Sequence, residues 1–287
     1  MVYPAAVTPL DGSGQIDYPS VAKLLAWFRA AGCDGVVVSG TNGEGPSLSA
    51  VEKRDLMRQA ISLSEGLRVV LGISTNSLTE AQWLTSQAAK AGAEAVLVMP
   101  PNYFVECGQE GLIGWFTAVL DSAELPVILY NLPKRTGIRI ESETVAHLAS
   151  HPKMMGVKDS SGEEANLQDF SRAAPGKRLL VGDETLLLKA LGLGWSGTIS
   201  GASNVLARWI VAVADDFKSN PESAEAKFAL IGETLAALRS APQPYTNKEI
   251  LTRLGVIERS AVRLPLSPRP GDAVERVAEL VNGLVHK

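Results

Sequence analysis

At 287 residues, with 46% hydrophobic and 20% charged side chains, the chain can bury a large core and is too apolar to be disordered. Its net charge of −4, without a block of like charge, disfavours nucleic acid and anionic membrane surfaces as partners. No apolar run approaches the roughly 18 residues of a membrane span, and Met1-Val2-Tyr3-Pro4 lacks the basic and apolar stretches of a signal peptide, so a cytoplasmic protein is expected.

In chain order, short strand-like runs fall at 5–7, 35–38, 69–73, 95–99, 126–130, 154–158, 179–181 and 197–200. Between them apolar residues return with helical spacing, as in Val21, Leu24, Leu25 and Phe28, or Leu112, Trp115, Phe116 and Val119. Ser49, Ser77 and Ser142 stand where N-caps belong, and Gly32, Gly66 and Gly92 where helices should stop. Strict alternation of strand and helix implies a parallel sheet with right-handed crossovers. Eight such units in about 200–220 residues predict an α/β fold, a closed (β/α)8 TIM barrel. An open doubly wound sheet is the competing architecture, but its Gly-x-Gly-x-x-Gly turn after the first strand is missing. From 205 onward the pattern is helix upon helix, at 205–218, 221–239, 246–254 and 271–285. The expected organisation is a barrel over 1–204 that carries the active site. Residues 205–287 then supply the last barrel helix and a C-terminal helical extension within the same structural unit.

Barrel active sites gather at the C-terminal ends of the strands, which makes a short list. The sixth run, Met154-Met155-Gly156-Val157, ends on Lys158. A lysine there either snorkels to water or, if desolvated, is driven toward the neutral amine, a nucleophile for ketones. The fifth run ends on Tyr130, and neighbouring strands lie about 4.8 Å apart, so this phenol could move protons at a carbon attached to Lys158. Arg135, in the Pro/Gly-shaped segment that follows, could hold a carboxylate by a two-pronged hydrogen bond. The second run leads into Ser39-Gly40-Thr41-Asn42-Gly43-Glu44-Gly45-Pro46-Ser47. Its glycines permit a tight turn whose N–H groups, with Thr41 and Asn42, suit a carboxylate or phosphate, although the Gly-Lys-Ser/Thr ending of a nucleotide P-loop is absent. Each residue alone also reads as ordinary structure; compatible groups at three strand ends favour a site. Cys33 and Cys107 read as free, buried thiols. His147 and His151 would share a helix face, but no Glu follows His147 and Pro152 ends the helix, so no metal site is expected.

These motifs carry a resemblance. Gly40-Thr41-Asn42-Gly43-Glu44, Tyr130-Asn131-Leu132-Pro133 through Arg135-Thr136-Gly137, and Gly156-Val157-Lys158-Asp159 are its specific parts, with Gly182-Asp183 and Gly197-Thr198-Ile199-Ser200 at later strand ends. From Ala6-Val7-Thr8-Pro9 to Arg263-Leu264-Pro265-Leu266-Ser267-Pro268 the chain resembles the dihydrodipicolinate synthase / N-acetylneuraminate lyase family of class I pyruvate-dependent aldolases, and most of all the synthase-like branch. The resemblance implies that Lys158 is the Schiff-base lysine, Tyr130 the proton shuttle, and Thr41 its partner in a hydroxyl relay. It further implies that Thr41 and Asn42 receive the pyruvyl carboxylate and that Ile199 lines the pyruvate pocket through its backbone. In the synthase branch the position of Arg135 meets the carboxylate of the aldehyde, whereas N-acetylneuraminate lyases typically lack that arginine. The chain departs from the synthase pattern at Asn42, where a second threonine is common and where 4-hydroxy-2-oxoglutarate aldolase-like members carry Asn. It also departs in Pro100-Pro101-Asn102-Tyr103-Phe104, where synthases have a tyrosine pair, one of which reaches a neighbouring subunit's site; Tyr103 would supply that hydroxyl.

The expected reaction is therefore Schiff-base condensation of pyruvate with an aldehyde, foremost aspartate semialdehyde, to give 4-hydroxy-tetrahydrodipicolinate for lysine and diaminopimelate synthesis. The alternatives are retro-aldol cleavage of a 2-oxo acid, such as 4-hydroxy-2-oxoglutarate or a 2-keto-3-deoxy sugar acid, and a non-catalytic barrel that binds a keto acid. No metal or organic cofactor is required by this chemistry. The family resemblance implies a homotetramer, a dimer of dimers.

Overall fold

Alternation along each strand decides which residues meet inside the barrel and which meet the helices. A computed structural model describes residues 1–285. It runs β1 (Val2–Pro4), α1 (Tyr18–Ala30), β2 (Gly35–Val38), α2 (Ala50–Ser62), β3 (Arg68–Ile73), α3 (Leu78–Ala91), β4 (Ala95–Val98) and α4 (Gly108–Ser122). There follow β5 (Val127–Asn131), α5 (Pro133–Thr136), α6 (Ser142–Ala149), β6 (Met154–Asp159), α7 (Ala165–Ala173), β7 (Arg178–Val181), α8 (Leu187–Gly192) and β8 (Gly197–Ser200). Four helices complete the described residues: α9 (Ser203–Ser219), α10 (Pro221–Ser240), α11 (Tyr245–Arg253) and α12 (Asp272–Val285). The strands pair in the order β1-β8-β7-β6-β5-β4-β3-β2, all parallel. A parallel bridge from Ala5 to Val37 brings the two ends together, with the Ala6 N–H donating to the Val37 carbonyl at 2.9 Å. The result is the (β/α)8 barrel that the alternation predicts.

Val37, Val70, Leu97, Ile128, Tyr130, Leu180 and Ile199 form the inner layer. Their neighbours in sequence, among them Val36, Val69, Val96, Leu129, Val157 and Leu179, pack outward against the helices. Each such side chain, fully buried, contributes about 1.5–3 kcal/mol. Both faces of most strands are therefore apolar, which is why the runs read as nearly continuous rather than alternating; β8, whose outward residues are the buried Thr198 and Ser200, is an exception.

Several boundaries differ from the sequence reading for identifiable reasons. The first strand is Val2–Pro4, in register with Thr198–Ser200. Within the run 5–7, which stays buried, Ala5 and Ala6 make the isolated bridge to Val37, and the Val7 N–H turns to the side chain of Asn204 at 3.0 Å. Ser49 is an N-cap with a full capping box to Glu52, and Ser77 caps α3. Ser142 instead opens α6, whose N-cap is Glu141. Gly92 ends α3 in a left-handed conformation, φ 81°. Cys33 is buried, and burial beside Asp34 pushes its thiol up to about 12; Cys107 is only partly buried. Both ring nitrogens of His151 are engaged, Nε2 with Asp121 Oδ1 at 3.2 Å and Nδ1 with the Lys153 N–H at 3.1 Å. Among the described residues no helix is long and apolar enough to cross a membrane.

Candidate active site

At the C-terminal ends of the strands the inner layer turns polar. Tyr130 of β5 and Lys158 of β6 are register partners, both buried, and Lys158 Nζ stands 4.0 Å from the centroid of the Tyr130 ring. One residue further, Asn131 and Asp159 are also partners but face outward. Asn131 Nδ2 donates to Asp159 Oδ1 at 2.7 Å, and Asn131 Oδ1 accepts from the Ile140 N–H at 3.0 Å. Ser161 donates to Asp159 through its hydroxyl at 2.8 Å and its N–H at 3.2 Å. Burial outweighs these donors and leaves the Asp159 carboxyl above its usual range. This outward knot fixes the register that keeps the phenol beside the amine. Burial works to raise the Tyr130 phenol, but the Lys158 charge and hydrogen bonds with Thr41, Lys158 and Ser160 prevail and lower it.

Space for the amine comes from Gly182, at the end of β7. A Cβ there would lie 2.9 Å from Lys158 Cε and 1.9 Å from Ser160 Oγ. Above the amine opens a cavity of about 310 Å³. Its walls include Thr41 and Asn42 from the loop after β2, Lys134 and Arg135 from α5, Ser160, and Glu184 after β7. A further wall comes from outside the barrel, through Leu238 and Arg239 of α10 and Gln243, Pro244 and Asn247 at the start of α11.

The loop after β2 is held in a conformation it would not adopt alone. Ser39 and Glu44 both have left-handed backbones, φ 59° and 56°. A side chain at Gly72 would come within 2.8 Å of Gly40 N and the Ser39 carbonyl, so β3 must be bare where the loop crosses it. Glu44 is fully buried and ion-paired with Lys248 of α11, and its other oxygen accepts the Arg263 N–H at 2.7 Å. Burial pulls the Lys248 ammonium down while Glu44 opposes that shift. Arg239 makes a comparable tie, donating to Asp183 Oδ2 at 2.7 Å with Glu184 Oε2 at 3.6 Å.

Of the residues singled out in the sequence, Lys158, Tyr130, Thr41, Asn42 and Arg135 line this one cavity. Arg135 is exposed at its rim. Ile199 is buried in the inner layer of the barrel, below the cavity lining. Tyr103 lies in the β4–α4 loop, 76% exposed, edge-on to Phe104, and does not line the cavity. Ser160, Lys134, Glu184, Arg239, Gln243 and Asn247 were not foreseen. Ser160 and Glu184 follow strand ends and were open to the same rule that found Lys158. Arg239, Gln243 and Asn247 had no such signal, because nothing local tells a helix beyond the eighth strand that it returns to the mouth.

The arrangement is suited to imine chemistry on an anionic keto acid: a buried amine, an adjacent acidified phenol, and amide and hydroxyl donors across the cavity. Comparison with known proteins points the same way. The chain matches the Dihydrodipicolinate synthetase family over residues 1–283. It is 35% identical over 284 residues to a protein of Azoarcus sp. (strain BH72) named 4-hydroxy-tetrahydrodipicolinate synthase, covering 95% of this chain and 94% of that protein. A protein of the same name from Polynucleobacter asymbioticus is 36% identical over 276 residues, covering 92% and 88%. Among solved structures, DHDPS from Cyanidioschyzon merolae with lysine bound superposes with a TM-score of 0.92 at 32% identity, covering 99% of this chain and 98% of that one. Dihydrodipicolinate synthase from Acinetobacter baumannii complexed with pyruvate gives 0.92 at 29% identity, covering 98% and 97%.

Proposed function

The chain belongs to the dihydrodipicolinate synthetase family, and on that premise we propose that it condenses pyruvate with aspartate semialdehyde to form 4-hydroxy-tetrahydrodipicolinate. Membership makes it a class I pyruvate-dependent aldolase or lyase. The observation that carries the Schiff-base reading is the pairing of Lys158 and Tyr130, with Nζ 4.0 Å from the ring centroid, at the floor of a cavity that also holds Thr41 and Asn42, and Arg135 in the same lining favours an acceptor that brings its own carboxylate.

In this reading Lys158 Nζ attacks the ketone carbon of pyruvate, whose carboxylate is received by Thr41 and Asn42. Loss of water leaves an iminium, and its positive charge draws electrons from the methyl group. Tyr130, relayed by Thr41, takes the methyl proton and an enamine forms. The enamine carbon attacks the aldehyde, and the new alkoxide takes up a proton. Arg135, at the rim, holds the acceptor's carboxylate. The acceptor's amine then attacks the iminium carbon, closing the ring and freeing Lys158. Retro-aldol cleavage of a 4-hydroxy-2-oxo acid would use the same first residues, and a keto-acid-binding barrel would stop at capture. We also assign the protein to the cytoplasm and to a homotetramer of paired dimers; the exposed apolar loop at Tyr103 and Phe104 supports self-association.

Reduction with borohydride in the presence of pyruvate, followed by peptide mapping, should place a covalent adduct on Lys158 and none on Lys158→Ala. No adduct in the unaltered protein would sink both aldolase readings. Steady-state turnover should be fastest with aspartate semialdehyde; faster cleavage of 4-hydroxy-2-oxoglutarate would overturn the choice of substrate.

A further inference from the structure

Consecutive residues of α11, outside the barrel, grip the loop after β2. Lys248 pairs with Glu44, and Asn247 reaches Asn42. The Asn247 side chain is buried, and its Nδ2 donates to the Gly201 carbonyl at 3.0 Å and to Asn42 Oδ1 at 3.4 Å. A carbonyl can only accept, so Gly201 dictates which end of the Asn247 amide faces it. That nitrogen then faces Asn42, and Asn42 must meet it with oxygen. The Asn42 amide is thereby polarised, with its Nδ2 remaining as a donor in the cavity wall. Gly201 lets this amide settle close, since a Cβ there would lie 2.6 Å from Asn42 Nδ2.

The opposite end of Asn247 argues against a merely structural role. Its Oδ1 is buried and has no hydrogen-bond partner among the described residues. A valine would fill nearly the same volume without that unfavourable orphan. What asparagine adds is the donor. We infer that Asn247 is a positioning residue, which through a one-way relay from the Gly201 carbonyl turns the Asn42 amide so that it donates to the carboxylate of the keto-acid substrate. This rests on the reading that the β2 loop receives the pyruvyl carboxylate and deepens it, because it explains how asparagine can replace a hydroxyl donor at position 42 without presenting oxygen to an anion.

The test titrates pyruvate into four proteins: unaltered, Asn42→Ala, Asn247→Ala and the double variant. Capture is read by calorimetry and adduct formation by borohydride trapping with intact mass. Asn247→Ala should raise half-saturating pyruvate about tenfold, with the limiting rate of adduct formation unchanged. Asn42→Ala should do the same, and the double variant should be no worse than either single one, since both changes act on one amide. Asn247→Asp, which cannot donate to both carbonyl oxygens, should bind at least as weakly as Asn247→Ala. Unchanged half-saturation in Asn247→Ala, or additive losses in the double variant, would overturn the relay. If Asn247→Ala does not fold, Asn247→Val keeps the packing and should show the same shift. Calorimetric binding without an adduct would sink the proposed reaction yet leave the relay to be judged by these ratios; failure of the unaltered protein to bind pyruvate would overturn both.

Discussion

Tyr130 is the residue on which the chemistry turns after Lys158, because it combines burial, contact with the amine and an acidified proton. Replacing it with Phe keeps the ring and removes the relay, so turnover should fall by about 10²–10⁴-fold while the fold and the Lys158 contact to the ring persist. The pH dependence has a definite sign. Lys158 and the hydrogen bonds from Thr41 and Ser160 lower the phenol despite its burial, so Tyr130 loses its proton below the ordinary phenol value of about 10. Because the deprotonated phenol is the form that takes the methyl proton, the rise of kcat/KM for pyruvate with pH should have its midpoint below that value and be lost in Tyr130→Phe; coincident profiles would assign the ionisation to another group. Gly182 supplies an independent check at the same scale. A methyl group there would collide with Ser160 Oγ at 1.9 Å and press on Lys158 Cε at 2.9 Å, so Gly182→Ala should slow adduct formation markedly and lower Tm. If adduct formation stays at the unaltered rate, the amine has more room than the geometry allows.

At the scale of elements, what was legible depended on whether the signal was local. Strand ends at Lys158, Tyr130 and Thr41 could be read because apolar runs stop there and barrel geometry says what stopping means. The register between β5 and β6 could not. Val127 pairs with Met154 but Ile128 with Gly156, so β6 carries one extra residue at Met155. Without that bulge Tyr130 would face Val157, and no property of Met154-Met155 alone announces it. Gly156 shows why the strand closes there: a Cβ would sit 1.7 Å from the Arg178 carbonyl. The role of α11 was equally hidden, since Lys248 is an ordinary helical lysine until tertiary structure sets it against Glu44. This pair yields a stability prediction. Both side chains are fully buried, so Lys248→Met strands a carboxylate in the core and should cost about 3–5 kcal/mol, measured by urea unfolding. Glu44→Gln combined with Lys248→Met removes both charges and should recover much of that loss; a double variant as unstable as the single one would show that charge pairing is not what the helix provides.

For the whole molecule, the barrel answers to sequence periodicity, while the surface carries a feature that periodicity does not explain. The β4–α4 loop is rigid where it leaves the barrel: Asn76 Oδ1 accepts the N–H groups of Asn102 and Tyr103 at 2.7 and 3.0 Å. Val105 rests over Gly137, 3.2 Å from where a Cβ would stand, close to the segment that bears Arg135. Beyond these anchors Tyr103 and Phe104 present 76% and 70% of their surface to solvent. Holding two aromatic rings out of the core on a fixed loop is unfavourable for an isolated chain and favourable for one that buries them in a second copy. An aromatic anchor at an interface is worth about 2 kcal/mol or more, equivalent to roughly 30-fold in affinity. Phe104→Asp should thus move the native mass from a multiple of 30.4 kDa toward 30.4 kDa itself, by light scattering at micromolar concentration. Activity should fall with it, because the loop that loses its partner lies beside the acceptor side of the cavity. An unaltered chain that already runs at 30.4 kDa, or a Phe104→Asp variant that assembles as before, would remove this loop from the interface and leave the neighbouring cavity wall to the single chain.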